Sequence, residues 1–399
     1  MFLICALAVS LPPLQSSSDY PGHHTYISAA KLPKPYTGKE FLLAPKIIAR
    51  PSDHFLKTLS GFHIALWATG LRAPRWLYSA PNGDVFCAEC DAGKVILLRD
   101  SNRAGHSDEP KVFADHLHLP FGMAIHDQWF YVANTDSVVR FKYKLGQDSV
   151  VDPETVISGI PSKGRVQHWT RTILFNPAGT KMYLTIGSET NKTPEPLPRA
   201  AVWRYNPDGT DPELFVTGVR NVVGLAWRPG TTELWATVAE RDFMGADLVP
   251  DFLANLKNGQ FYGWPWYYSG KHRDPKVPLA GCPKDPVAPP ADMFVAHSTP
   301  LGLMFYDGRM FPAEFRGDAF VAMRGSTNRR SRSGYKVVRI HFNRGKLAPG
   351  YEDFVTGWLP DPLQRKVYGR PVGLCELPDG SMLVSDESGG CIWRITYGR

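Results

Sequence analysis

Short apolar runs follow turn residues at regular intervals along the chain. Six copies of one pattern stand out: Gly83–Phe86, Asp127–Val132, Gly179–Leu184, Thr232–Thr237, Gly317–Ala322 and Gly380–Ser385. Starts at 83, 127, 179, 231, 317 and 380 are spaced by 44, 52, 52, 86 and 63 residues. The shorter spacings suit four strands per unit, and the 86 implies an insertion. The strand before each copy also repeats, as in Phe121-Gly122-Met123, Val223-Gly224-Leu225, Leu301-Gly302-Leu303 and Val372-Gly373-Leu374. Tight turns join the two strands, as in Pro81-Asn82-Gly83, Pro177-Ala178-Gly179 and Pro378-Asp379-Gly380, where Pro presets φ and Gly accepts a positive one. A third strand follows in five of the units, as in Lys94–Arg99 and Lys336–Ile340. An outer strand precedes every unit, from Phe62–Trp67 to Phe354-Val355, and none follows the last. Residues 62–67 therefore complete the sheet whose inner strands come from residues 371–397. The pattern predicts an all-β fold, a six-bladed β-propeller closed by an N-terminal outer strand. A β-sandwich would not put six copies in register.

Composition agrees with many short strands. Gly (36) and Pro (35) are plentiful among 399 residues, with eleven Trp and sixteen Tyr. Hydrophobic content of 43% with 21% charged residues argues against disorder. The net charge of +7 is scattered, with one dense spot at Arg329-Arg330-Ser331-Arg332, so no nucleic-acid partner is expected. The apolar start, Met1 to Leu14, is too short to span a bilayer and suits a signal peptide. The expected organisation is a signal at 1–18, an extended arm at 19–60 and the propeller at 61–399, in a secreted protein with no membrane span. Five cysteines remain after the signal, Cys87, Cys90, Cys282, Cys375 and Cys391. Cys87-x-x-Cys90 has no second pair to complete a zinc site, so plain strand cysteines or a local disulfide are expected.

Positions just before the inner strands and just after the second strands converge at one mouth of a propeller. The first set includes Arg72, Arg75, His116, His118, His168, Arg171, Arg220, Asn221, His297 and Arg370. The second includes Glu89, Asn134, Ser188, Glu189, Glu240-Arg241-Asp242, Arg324 and Asp386-Glu387. Arg220, Arg324 and Arg370 come from three blades, which suits a small ligand with several carboxylates or phosphates. Glu240, Asp242 and Asp247 share an irregular loop. They either offer hard oxygens to Ca²⁺ or pair with the arginines. His168 has an imidazole suited to taking a proton near neutral pH. The aromatic run Phe261–Tyr268 is either core packing or a stacking wall at the rim.

His168-Trp169-Thr170-Arg171, Thr217–Ala226, Glu240–Asp251, Tyr262-Gly263-Trp264-Pro265 and Tyr368–Gly373 together resemble the soluble quinoprotein glucose/sorbosone dehydrogenase family, over roughly residues 50–398. The secreted start makes the chain similar to the fungal pyranose dehydrogenases within it. The resemblance implies a pyrroloquinoline quinone cofactor with Ca²⁺, a sugar substrate, and a separate electron acceptor such as a haem protein. It implies that His168 and Arg220 are catalytic, His168 as the base. Arg220, Asn221, Arg324 and Arg370 would hold the cofactor, with Arg171 counted beside them. The backbone around Arg241 and Asp242, in the loop that also holds Glu240 and Asp247, matches the calcium loop. Three features depart from or complicate the glucose dehydrogenase pattern. Val372 replaces a second arginine. Ser188, followed by Glu189, stands where an aspartate orients the histidine. Asn191-Lys192-Thr193 is a glycosylation sequon that is either unused or points outward. The first two favour the sorbosone/pyranose branch. The alternatives are a Ca²⁺-dependent lactone or ester hydrolase and a non-catalytic, partner-binding propeller.

Overall fold

The computed structural model describes residues 20–37, 39, 41–166 and 168–398. The expected signal segment, 1–18, lies outside these. Six sheets, each built on four antiparallel strands, form the blades. From the channel outward, the first blade runs Leu77–Ser79, Val85–Glu89, Lys94–Leu98 and Lys111–Ala114, and the second Met123–His126, Trp129–Ala133, Val138–Lys142 and Glu154–Ile157. The third runs Ile173–Phe175, Met182–Ile186, Ala201–Tyr205 and Glu213–Thr217. The fourth runs Val222–Trp227, Leu234–Val238, Phe252–Leu256 and Asp292–Met293, and the fifth Pro300–Phe305, Ala319–Met323, Lys336–Ile340 and Tyr351–Thr356. The sixth joins Pro371–Glu376, Met382–Asp386 and Cys391–Tyr397 to Phe62–Ala68. That antiparallel pairing of the chain's two ends closes the ring as the pattern predicts.

The repeated glycines of the inner strands have a steric cause. A Cβ on Gly122 would lie 2.7 Å from the Arg171 carbonyl, one on Gly224 2.5 Å from that of Leu301, and one on Gly373 2.3 Å from that of Arg75. Each meets the backbone of the next blade's inner strand, so the blades approach one another most closely around the channel. Side-chain hydroxyls stitch the same seam. Thr172 Oγ1 donates to the Val223 carbonyl (2.6 Å), and Thr237 Oγ1 to that of Leu301 (2.8 Å). Farther out, large apolar side chains fill the wedges. Phe86, Phe113 and Phe130 meet between the first two blades with ring centroids 4.6–4.9 Å apart. All three are buried, each contributing about 2 kcal/mol.

Two details differ from the sequence reading. The fourth blade's third strand, Phe252–Leu256, escaped the pattern. The insertion of residues 257–291 therefore lies inside that blade, before its outer strand, rather than between blades four and five. Its aromatic run is core packing: Phe261, Tyr262, Trp264, Trp266 and Tyr268 are all buried. The arm is held by short strands. His24–Thr25 and Lys57–Thr58 pair with the fifth blade's outer strand, and Lys46–Ile47 with Lys366–Val367. All five cysteines beyond residue 20 are free thiols. Among the described residues, no helix is long and apolar enough to cross a membrane.

Candidate active site

His168 sits in the loop entering the third blade's inner strand. Its Nδ1 lies 2.8 Å from the Ser188 carbonyl and 3.0 Å from Ser188 Oγ. Ser188 Oγ donates its own proton to the Thr190 carbonyl (2.7 Å). Both oxygens facing Nδ1 are thus acceptors, so Nδ1 carries the hydrogen and Nε2 the lone pair. A backbone carbonyl does the orienting expected of a carboxylate. Gly187 allows the close fit, since a Cβ there would come within 2.6 Å of both His168 Cβ and Asn221 Oδ1. Burial, and then the nearby Arg220 cation, push the His168 imidazole well below its ordinary pKa. It is therefore a neutral base at neutral pH.

Arg220 precedes the fourth blade's inner strand and is 5% exposed. Its Nη1 donates to the Glu240 carbonyl (2.7 Å), and its Nη2 to Asn191 Oδ1 (2.9 Å) and Asp242 Oδ2 (3.3 Å). Asn221, 7% exposed, has a buried Oδ1 with no hydrogen-bond partner. A polar atom left so costs about 1–3 kcal/mol unless a ligand or water meets it. His168, Arg220, Asn221, Asp242, His297 and Asn328 line a cavity of about 190 Å³. Such a volume takes the reacting end of a ligand rather than the whole of a larger one.

A second cluster stands on the same rim, on blades five, six and one. Arg324 Nε donates to Glu387 Oε2 (2.5 Å), and Arg75 pairs with the other oxygen of the same carboxylate. Arg370 bonds the carbonyls of Arg324 (3.1 Å) and Gly325 (2.7 Å). Burial, and then the neighbouring Arg324, pull the Arg370 guanidinium down to about 9. Glu387 is itself buried, but Arg75 and Arg324 outweigh that and hold its carboxylate ionised far below the usual range. Two guanidiniums thus share one carboxylate, with the buried Arg370 guanidinium beside them on backbone carbonyls, an excess of positive charge that favours a polyanionic ligand. The backbone N–H of Arg324 bonds the Thr299 carbonyl (2.9 Å), and Thr299 also lines the His168 cavity. The two clusters adjoin.

Other expected residues lie elsewhere. The Arg171 guanidinium turns into the protein, bonding the carbonyls of His168, Thr170 and Pro161 at 2.8–2.9 Å. It braces the loop that carries His168 and does not face the cavity. The expected metal ligands do not converge. Glu240 Oε2 accepts from Arg241 Nε (3.1 Å), and Arg241 is fully buried under the insertion with Asp274 at 3.5 Å. Asp247 is exposed and pairs with Arg329 (2.7 Å). Asp242 lines the cavity, as Glu240 does, and its carboxylate accepts from His297 Nδ1 (3.1 Å). No group of three or more His, Cys, Asp or Glu side chains arranged to hold a metal exists among the described residues. The donor set therefore does not fit a calcium ion held by three carboxylates. His116 and His118 are exposed on the second blade's loop, the latter paired with Asp136 (2.6 Å). Sequence reasoning placed Arg75 and Glu387 on the rim without assigning them a use, and it read Asn191 only as a sequon.

The model of the glucose/sorbosone dehydrogenase family matches residues 125–338, more than half of the chain. An uncharacterized protein of Borreliella burgdorferi is 26% identical over 364 residues, covering 88% of this chain and 93% of that one. Among solved structures, a Trichoderma reesei enzyme of carbohydrate-active family AA12 superposes with a TM-score of 0.72 at 20% identity, covering 88% of this chain and 100% of that one. The holo form of the pyranose dehydrogenase PQQ domain from Coprinopsis cinerea gives 0.71 at 19%, covering 89% and 100%. The PQQ-bound aldose sugar dehydrogenase of Streptomyces coelicolor gives 0.61 at 20%, covering 87% and 99%. These three likenesses are of fold. The chain belongs to the glucose/sorbosone dehydrogenase family.

Proposed function

We propose that this member of the glucose/sorbosone dehydrogenase family oxidises a sugar with pyrroloquinoline quinone as its cofactor. One observation carries the reading: a neutral histidine with a free Nε2 stands beside a buried arginine and an unpartnered amide oxygen. Next to them, two arginines share a single carboxylate, with a third, Arg370, beside them. The residues present fit the quinone. Asn221 and Arg220 would hold its carbonyl end, and Arg324 and Arg370, with Arg75, its carboxylates. When bound, pyrroloquinoline quinone supplies an acceptor for the two electrons of a hydride. The protein's own part is proton chemistry and positioning. His168 Nε2 takes the proton of the hydroxyl on the carbon being oxidised, and its Nδ1–H stays on the Ser188 carbonyl. Arg220, buried and bonded on three sides, opposes negative charge developing in the cavity.

The finer parts of the proposal are a pyranose or sorbosone-type substrate, favoured by Val372 and Ser188, and a separate electron acceptor. They also include secretion through residues 1–18, ahead of an arm at 19–60 and the propeller at 61–399. Calcium enters only as an addition to be tested, because Glu240, Asp242 and Asp247 do not gather. A hydrolase needs no cluster of arginines, and a binding propeller needs no free imidazole, so both alternatives rank below oxidation. Incubating the purified protein with the quinone, with and without Ca²⁺, and following dye reduction with a panel of aldoses tests the reading. His168→Ala should lower turnover by about 10²–10⁴-fold and leave cofactor affinity nearly unchanged. Dye reduction that survives the substitution would remove the histidine from the reaction.

A further inference from the structure

Asn191 lies three residues beyond the carbonyl that orients His168. Its side chain makes more use of the site than a surface sequon should. Oδ1 accepts from Arg220 Nη2 (2.9 Å) and from the backbone N–H of Asp242 (2.9 Å). Nδ2 donates to the Asp242 carbonyl (2.8 Å). Its own carbonyl accepts from Arg220 Nε (3.2 Å) and Trp264 Nε1 (3.0 Å). One residue of the third blade thus ties together the arginine of the fourth, the loop after that blade's second strand, and the insertion. The loop bearing it is itself pinned, because the Glu195 carboxylate accepts from the backbone N–H groups of Glu189 (2.7 Å) and Thr190.

We propose that Asn191 is a positioning residue for Arg220, and that the Asn191-Lys192-Thr193 sequon carries no glycan in the active protein. The chemistry selects asparagine. Both acceptor sites of the amide oxygen are used, and an N–H must point at the Asp242 carbonyl. Aspartate would set an oxygen against that carbonyl, and a glycan on Nδ2 would have to leave through the same contact. Without the Asn191 amide the guanidinium keeps the residue-191 and Glu240 main-chain carbonyls, but Nη2 is left with only the longer contact to the Asp242 carboxylate (3.3 Å).

The inference rests on the dehydrogenase reading of Arg220, and its test separates the two. Asn191→Ala and Thr193→Ala are made in a glycosylating host. Both destroy the sequon, but Thr193 is exposed and bonds Thr190 through its main-chain N–H and carbonyl, so the second variant spares the contacts. Wild-type protein should show the unmodified mass at Asn191. Asn191→Ala should bind pyrroloquinoline quinone about 10- to 100-fold more weakly, the worth of one charge-assisted hydrogen bond. Its kcat should fall while KM for the sugar holds, and Thr193→Ala should match wild type in all three. Wild-type kcat and quinone affinity in Asn191→Ala would overturn the proposal, as would a glycan on Asn191 of active enzyme. If the wild type takes no quinone, the dehydrogenase reading fails, and crystals of the cofactor-free Asn191→Ala protein decide the positioning claim. Arg220 displaced there supports it, and Arg220 unmoved overturns it.

Discussion

With Nδ1 committed to the Ser188 carbonyl, His168 has a single lone pair to offer, on Nε2. The orienting acceptor belongs to the main chain, so the side chain of Ser188 should matter little. Ser188→Ala is expected to keep turnover within about fivefold of wild type, the worth of one neutral hydrogen bond. A hundredfold loss in a dye-reduction assay would mean that the hydroxyl, not the carbonyl, fixes the imidazole. The same burial that keeps the ring neutral predicts a pH profile. Because the His168 pKa is lowered from its ordinary 6.5, the base stays unprotonated well into mildly acidic solution. The acid limb of kcat/KM should therefore fall below pH 6.5, and a limb at or above that value would contradict a partly buried, Arg220-facing imidazole. From the sequence, the histidine and the arginines were legible as a converging rim, because strand order alone fixes which loops meet. Side-chain direction was not. Arg171 adjoins the inner strand as Arg220 does, yet backbone carbonyls within the third-blade loop capture its guanidinium. Asn191 looked like a surface acceptor because nothing local shows that Arg220 and Asp242 fold back onto it.

Strand periodicity was readable because each element repeats six times, and turn residues punctuate it. The fourth blade's third strand was missed because its copy, Phe252–Leu256, follows a loop wrapped around Arg241 and opens onto a 35-residue insertion. The glycine at four of the six inner strands was visible as a repeat, but its cause needed the neighbouring blade. Gly373→Ala should collide with the Arg75 carbonyl, which lies 2.3 Å from the added carbon. Overpacking of this kind costs about 1–3 kcal/mol, and chemical denaturation should show it, whereas unchanged stability would mean that the blades can part without penalty. In the fifth blade, His341 lies between Asp318 (3.3 Å) and Glu352 (3.3 Å). Hydrogen bonds to those two carboxylates raise it to about 9. A raised folded-state pKa contributes stability that is fully present below about 6.5 and fades as pH rises toward 9. His341→Gln should therefore flatten the dependence of Tm on pH between 6.5 and 9, and a slope identical to wild type would remove this pair from the pH response.

At the scale of the whole molecule, the ring gathers charge that no single blade could hold. Blades one, five and six deliver Arg75, Arg324 and Arg370 to one cluster at the rim beside the His168 cavity, where Arg75 and Arg324 pair with Glu387. Removing that carboxylate by Glu387→Gln should destabilise the unliganded protein by about 3–5 kcal/mol, the usual cost of orphaning buried charges. A polyanionic ligand should recover part of the loss, and a Tm equal to wild type would show that solvent already screens the cluster. The central claim is that this excess of cations, with Asn221 and Arg220, forms a seat for pyrroloquinoline quinone. Calorimetric titration of the purified protein with the quinone tests it most directly. Saturable one-to-one binding, weakened about a hundredfold or more in an Arg324→Ala/Arg370→Ala variant, is the predicted result. The absence of binding, or binding indifferent to those two arginines, would contradict it.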